Sequence, residues 1–144
     1  DKSGKYGLTA GEYWQLASDL AEFKLAWVEF MRENRYDAVL LPAMGLPAFP
    51  HGLAKDLTVA CSYAFLGNLL HWPAGCIPVT RVRAGSEEMY DPPGSEFDMA
   101  YVAAKGTMED SAGLPIGVQV MTLPYKDELC LGIMSQLEQS VCFH

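Results

Sequence analysis

Two sets of residues in this chain carry side chains suited to acyl transfer: Lys55 with Ser62, and Cys61 with His51 or His71. A serine or cysteine attacks only with a proton acceptor in hydrogen-bond reach and donors placed for the oxyanion. Lys55 and Ser62 stand seven residues apart in a presumed cap-and-helix segment, about two turns if helical, which is too far for proton transfer. His71 follows Cys61 by ten positions, about 15 Å along a helix, which excludes direct pairing. His51 sits in a proline-rich loop and can approach other segments, so the thiolate–imidazole pairing with Cys61 stays open. Against it, a lone cysteine on an apolar helix is ordinarily core. There is no Gly-x-Ser-x-Gly elbow, and no two glycines are adjacent anywhere, so no glycine-rich nest presents an oxyanion hole. Asp37, Asp56, Asp91 and Asp98 show no repeated spacing with Glu or His that suggests a metal or a carboxylate pair.

Composition narrows the function classes. At 144 residues, 50% apolar and 19% charged, the chain is expected to form one modest ordered body. Its net charge of −8 argues against nucleic acid, because phosphate binding needs concentrated Lys and Arg. The close pair Arg81 and Arg83 reads as decoration at a strand end. Cys61, Cys76, Cys130 and Cys142 have no CxxC spacing and lie in apolar stretches. They read as reduced, buried thiols without a metal, suited to a reducing intracellular compartment. No signal peptide is visible, and Pro42, Pro47, Asn68 and Pro73 interrupt the apolar stretches, so no transmembrane segment is expected. The start at Asp1, without methionine, suits a processed or truncated chain.

The elements that must position these residues follow from periodicity. Thr9 and Glu12 have capping-box spacing. Tyr13, Leu16, Ala17, Leu20, Phe23, Trp27 and Phe30 then recur at helical steps, predicting an amphipathic helix of about seven turns that ends at 34–37. Residues 38–41 read as a short strand buried on both faces, stopped by Pro42. Residues 44–52 hold two prolines and two glycines and predict an extended loop. Asp56 or Thr58 can cap a helix running to about Leu70, apolar nearly all round and so suited to the inside of a larger body. Residues 76–82 read as a strand, with Pro78 marking an edge, a bulge or an irregular start. Residues 84–95 read as a surface insertion, 97–108 as a helix and 116–121 as a strand. Pro124 suits the first position of a final helix, with Leu129, Ile133, Leu137 and Val141 as its buried stripe. The order is α/β.

Three segments carry a resemblance: 46–51 (Leu-Pro-Ala-Phe-Pro-His), 73–80 (Pro-Ala-Gly-Cys-Ile-Pro-Val-Thr) with Ser62, Tyr63 and Asn68 before it, and 113–121 (Gly-Leu-Pro-Ile-Gly-Val-Gln-Val-Met). Their order and separations resemble the C-terminal part of an amidase-signature hydrolase, closest to fatty-acid amide hydrolase-like enzymes. The resemblance covers nearly the whole chain and is weakest over 84–111. It implies an α/β fold: residues 1–144 as the C-terminal part of a partial amidase-signature α/β/α sandwich, with a mixed sheet and flanking helices. It also implies amide hydrolysis through an acyl-serine, with a lysine acting through a bridging serine. Those catalytic residues belong upstream, so the resemblance assigns none of them here, nor any cofactor. By motif position, the helix carrying Cys61, Phe65 and Asn68 resembles the one lining the acyl channel, and the alternative that Cys61 and Phe65 are only core stands beside it. Within 97–101 the chain aligns an alanine or a shifted aromatic where relatives carry an aromatic channel residue. His71 and Trp72 replace an acidic–aromatic pair.

Two classes of function follow. In one, the chain is an amidase-derived accessory subunit or domain without the Lys-Ser-Ser residues, a pseudoenzyme kept for packing. In the other, it is the C-terminal portion of an active serine amidase whose catalytic residues lie on other sequence. The partners expected are the remainder of the amidase fold or other protein subunits, with a lipid amide as the possible ligand.

Overall fold

The computed structural model describes residues 7–88 and 99–143. The chain divides into two units, 1–37 and 38–144.

The first unit is essentially one helix, α1 (Ala10–Glu33). Its start is the expected capping box: the Glu12 N–H donates to Thr9 Oγ1 at 3.2 Å, and the Thr9 N–H donates to Glu12 Oε2 at 2.6 Å. The bond from the Thr9 N–H to the carboxylate, joined by one from the Thr9 hydroxyl at 2.8 Å, holds the Glu12 pKa below its usual value. Asn34 closes the other end, its Nδ2 donating to the Phe30 carbonyl at 2.8 Å. Phe23, Trp27 and Phe30 stack edge-on at centroid spacings of 6.4 and 6.0 Å, and Tyr36 extends the ladder at 5.8 Å. The helix is present as expected, and much of its apolar face is exposed: Tyr13 is 62% exposed and Leu16 53%.

The second unit holds a three-stranded sheet. Strands β1 (Val39–Pro42), β2 (Ala74–Arg81) and β3 (Pro115–Met121) lie in the order β1-β3-β2, with β3 antiparallel to both neighbours. Helix α2 (Ser62–Leu70) covers one face. It comes close because Gly67 has no side chain there: a Cβ at that position would lie 3.3 Å from Met121 Sδ and 3.4 Å from Ala74 Cβ. Helix α4 (Asp127–Val141) covers the other face and packs mainly on β2. Cys130 Sγ lies 3.6 Å from the Val120 carbonyl, and Met134 lies against Gly75. Val120, Met121 and Thr122 are fully buried between these layers. The unit is thus an α/β sandwich of helix, sheet and helix, as expected.

Several boundaries differ from the sequence reading. β1 is not buried on both faces: its residues alternate, and Leu40 is 56% exposed because β1 stands at a sheet edge. The helix expected from Asp56 or Thr58 is instead two 3₁₀ turns (Leu53–Lys55 and Thr58–Cys61) followed by α2, and no side chain caps α2. Thr58 Oγ1 donates back to the Ala54 and Lys55 carbonyls, both at 3.3 Å, and so stabilises a tight turn rather than a helix start. Leu57, 3% exposed, anchors the junction. Pro124 does not open α4; the chain first turns through Tyr125 at φ +62°. The irregularity at Pro78 is present: β2 is an edge strand and its register slips between Pro78 and Thr80. Helix α3 (Met99–Met108) fits the expected 97–108.

Of the insertion expected over 84–95, residues 84–88 are described and include a 3₁₀ turn at Ser86–Glu88; the rest lies outside the described residues. Carboxylates hold this turn. Glu87 pairs with Arg83 at 2.5 Å, while Glu88 accepts from the Gly85 N–H at 2.8 Å and the Ala112 N–H at 3.2 Å. Arg81 ends β2, donates to the Gly113 carbonyl at 2.8 Å and stacks 4.5 Å over the Phe143 ring.

Candidate functional site

The surface around α2 gathers most of the residues that the sequence singled out. Phe65 and Asn68 lie on α2 and line an open apolar groove together with Ser62, Leu66 and Leu69. Cys61 ends the preceding 3₁₀ turn, is half-buried, and does not line that groove. The structure therefore brings Phe65 and Asn68 together and sets Cys61 apart from them. The reason is local: the chain around Cys61 is a 3₁₀ turn, so the four- and seven-residue helical spacing from Cys61 does not carry through.

On the other side of Ser62 is a cavity of about 370 Å³. Its walls come from Gly45 and Leu46 of the proline-rich loop, Leu57, Val59, Ala60, Ser62 and Tyr63 of the turn and α2, and Ala100, Tyr101 and Ala104 of α3. Of the aromatic region expected at 97–101, Phe97 lies outside the described residues, and Tyr101 lines this cavity. The sequence reading missed Leu57, Ala60 and Ala104. They are apolar residues in apolar elements, and only the packing of α3 against the 3₁₀ turn makes them walls.

The candidate reacting groups do not meet. Ser62 opens α2 and Lys55 ends a separate 3₁₀ turn; no hydrogen bond joins them. No hydrogen bond links Cys61 to His51 or His71. The whole nine-residue helix α2 separates Cys61 from His71, which caps its C-terminus at φ +57°. Among the described residues no group of three His, Cys, Asp or Glu could hold a metal ion.

All four cysteines are free thiols, but the expected burial holds only for Cys130. Cys76 and Cys142 are exposed, because β2 is an edge strand and Cys142 stands beyond the end of α4. Burial pushes the Cys130 thiol pKa up, partly opposed by the Thr122 hydroxyl. A protonated, buried thiol is a packing group, not a nucleophile. No described helix is long and apolar enough to cross a membrane.

The family model described as Amidase matches residues 2–131. The chain is 34% identical over 124 residues to fatty acid amide hydrolase 1 of Caenorhabditis elegans, covering 86% of this chain and 22% of that protein. It is also 34% identical over 132 residues to fatty-acid amide hydrolase 1 of Sus scrofa, covering 91% of this chain and 23% of that protein. It thus spans less than a quarter of the length of either relative. With a match over most of its length, and the helix–sheet–helix layering described above, this chain belongs to the amidase family.

Proposed function

We propose that this chain, as the C-terminal part of one amidase-like domain, is a non-catalytic portion of a larger amidase-fold body. It braces the sheet and supplies apolar wall for an acyl chain, and the acyl-transfer groups lie on polypeptide outside it. The observation that carries this reading is the open apolar side of the segment around α2. Val59, Tyr63, Phe65 and Leu69 are 74, 42, 49 and 43% exposed there. Large apolar side chains left open on both sides of Ser62 fit surfaces that further polypeptide or a ligand covers, and the relatives have more than three quarters of their length beyond the matched region. Phe65 and Asn68 act as groove wall. Cys61 stands apart from them, at the end of the preceding 3₁₀ turn, and the ligand class that fits is a lipid amide whose aliphatic chain excludes water from the apolar lining. The isolated chain, assayed with a long-chain acyl amide and labelled with a fluorophosphonate, is expected to give neither turnover nor a covalent adduct. Serine-specific labelling with turnover would refute the non-catalytic reading.

A second reading rests on the 34% identity to two proteins named as fatty-acid amide hydrolases: the chain is the C-terminal portion of an active serine amidase. A chimera of the Sus scrofa enzyme in which this chain replaces the matching segment separates the two. Retained amide hydrolysis favours this second reading, while a folded but inactive chimera leaves the structural role.

A further inference from the structure

Of the two spaces that meet at Ser62, one is walled by hydrocarbon and the other is not. The groove on one side runs along Phe65, Leu66 and Leu69. The cavity of about 370 Å³ on the other side is large enough for a small-molecule ligand or a stretch of one. All the walls described for it lie in the second unit. Backbone bonds fix its frame: the Gly45 N–H donates to the Ala60 carbonyl at 2.8 Å, tying the proline-rich loop to the second 3₁₀ turn. The Ala60 N–H in turn donates to the carbonyl of buried Leu57 at 2.9 Å. α3 contributes Ala100 and Ala104, one helical turn apart and so on one face. Their methyl groups leave room that larger side chains would fill.

The hydroxyls decide what this room accepts. On neighbouring turns the Thr58 hydroxyl is engaged with the Ala54 and Lys55 carbonyls, and the Thr107 hydroxyl with the Ala104 carbonyl at 2.7 Å. Ser62 and Tyr63 differ. Both line the cavity, and among the described residues neither hydroxyl has a hydrogen-bond partner. Both residues are exposed, so water satisfies them while the cavity is open. An occupant made only of methylene groups would strip that water and leave two hydroxyls unpaired, which weakens its binding. An occupant carrying an oxygen there replaces the lost water, because each hydroxyl both donates and accepts.

We infer that the cavity beside Ser62 and Tyr63 takes the oxygen-bearing part of an acyl chain, a hydroxyl or keto group within it, while plain hydrocarbon lies along Phe65 and Leu69. The inference rests on the reading above, in which this chain supplies wall for an acyl chain. It narrows the ligand from any lipid amide to one oxygenated along its chain. Ser62 lines both spaces and marks the point where the acyl chain passes from one to the other. Ala100 is the second determinant, since a bulky residue there closes the cavity and leaves the groove.

The test is isothermal titration calorimetry of the isolated full chain and of the Sus scrofa chimera, using a medium-chain acyl amide and its mid-chain hydroxy analogue. The hydroxy amide is expected to bind about 10-fold more tightly than the plain one. Tyr63→Phe is expected to bring the two affinities together, and Ala100→Trp to abolish the preference while the plain amide still binds. Each readout is a ratio between two ligands on one protein, which a general loss of stability does not move. Equal affinities in the unaltered protein, or a preference that survives both substitutions, overturn the oxygen assignment and leave the acyl-wall reading standing. Binding of neither amide to either protein overturns that reading and this inference with it. A preference present in the isolated chain but absent from the chimera shows that polypeptide fills the cavity, and it too overturns the assignment.

Discussion

Cys130 shows how one side chain changes meaning with its surroundings. Its type alone permits nucleophile, ligand or filler, and its position under β3 at 4% exposure selects filler. Because burial raises its pKa, the folded chain holds the protonated thiol. The stabilisation is complete below the ordinary thiol pKa and is lost as pH rises from that value through the raised folded pKa, a window in which the unfolded chain gains by ionising. In native chain treated with iodoacetamide at mildly alkaline pH, mass spectrometry should find Cys76 and Cys142 alkylated and Cys130 untouched until urea unfolds the protein. Equal labelling of Cys130 would remove the burial argument. Residue type was legible for all four thiols, but exposure was not: Cys76 looks as apolar in context as Cys130, and only the strand order puts it at a rim.

Elements whose signals are local are readable; those set by contacts across the chain are not. The capping box of α1 needs only Thr9 and Glu12, so its start was plain from spacing. The start of α2 was not, because the burial of Leu57 and the back-bonding of Thr58 favour 3₁₀ turns over a continuous helix. Gly117 makes the same point in the sheet. A Cβ added there would meet the Ile77 carbonyl oxygen at 3.0 Å, a backbone atom next to the Pro78 bulge that cannot swing aside. Gly117→Ala is therefore expected to cost about 1–3 kcal/mol through forced separation of β2 and β3. Urea denaturation reads this directly, and a change within the scatter of repeat measurements would show that the bulge absorbs the methyl group.

At the scale of the whole molecule, the chain carries more apolar surface than its own sheet can cover. Leu69→Ser is expected to shift the stability of the isolated chain by no more than about 0.5 kcal/mol, as at other surface positions. In the Sus scrofa chimera, where the proposed function has polypeptide covering this face, the same change should cost about 2 kcal/mol or more. Thermal melts of the four proteins give the difference, and equal effects in both backgrounds would show that the face stays open. The sequence by itself determined the α/β order, the spans of α1, α3 and α4 to within a turn, the irregularity at Pro78 and the amidase resemblance. Each of these is carried by neighbours along the chain or by short motifs. Only the tertiary structure decided that β3 lies between β1 and β2, that β1 has an open edge, that Cys61 stands apart from Phe65 and Asn68, and that Ala104 and Leu57 become cavity wall. Those outcomes depend on which distant segments pack together, and periodicity records which residues prefer burial without recording what buries them.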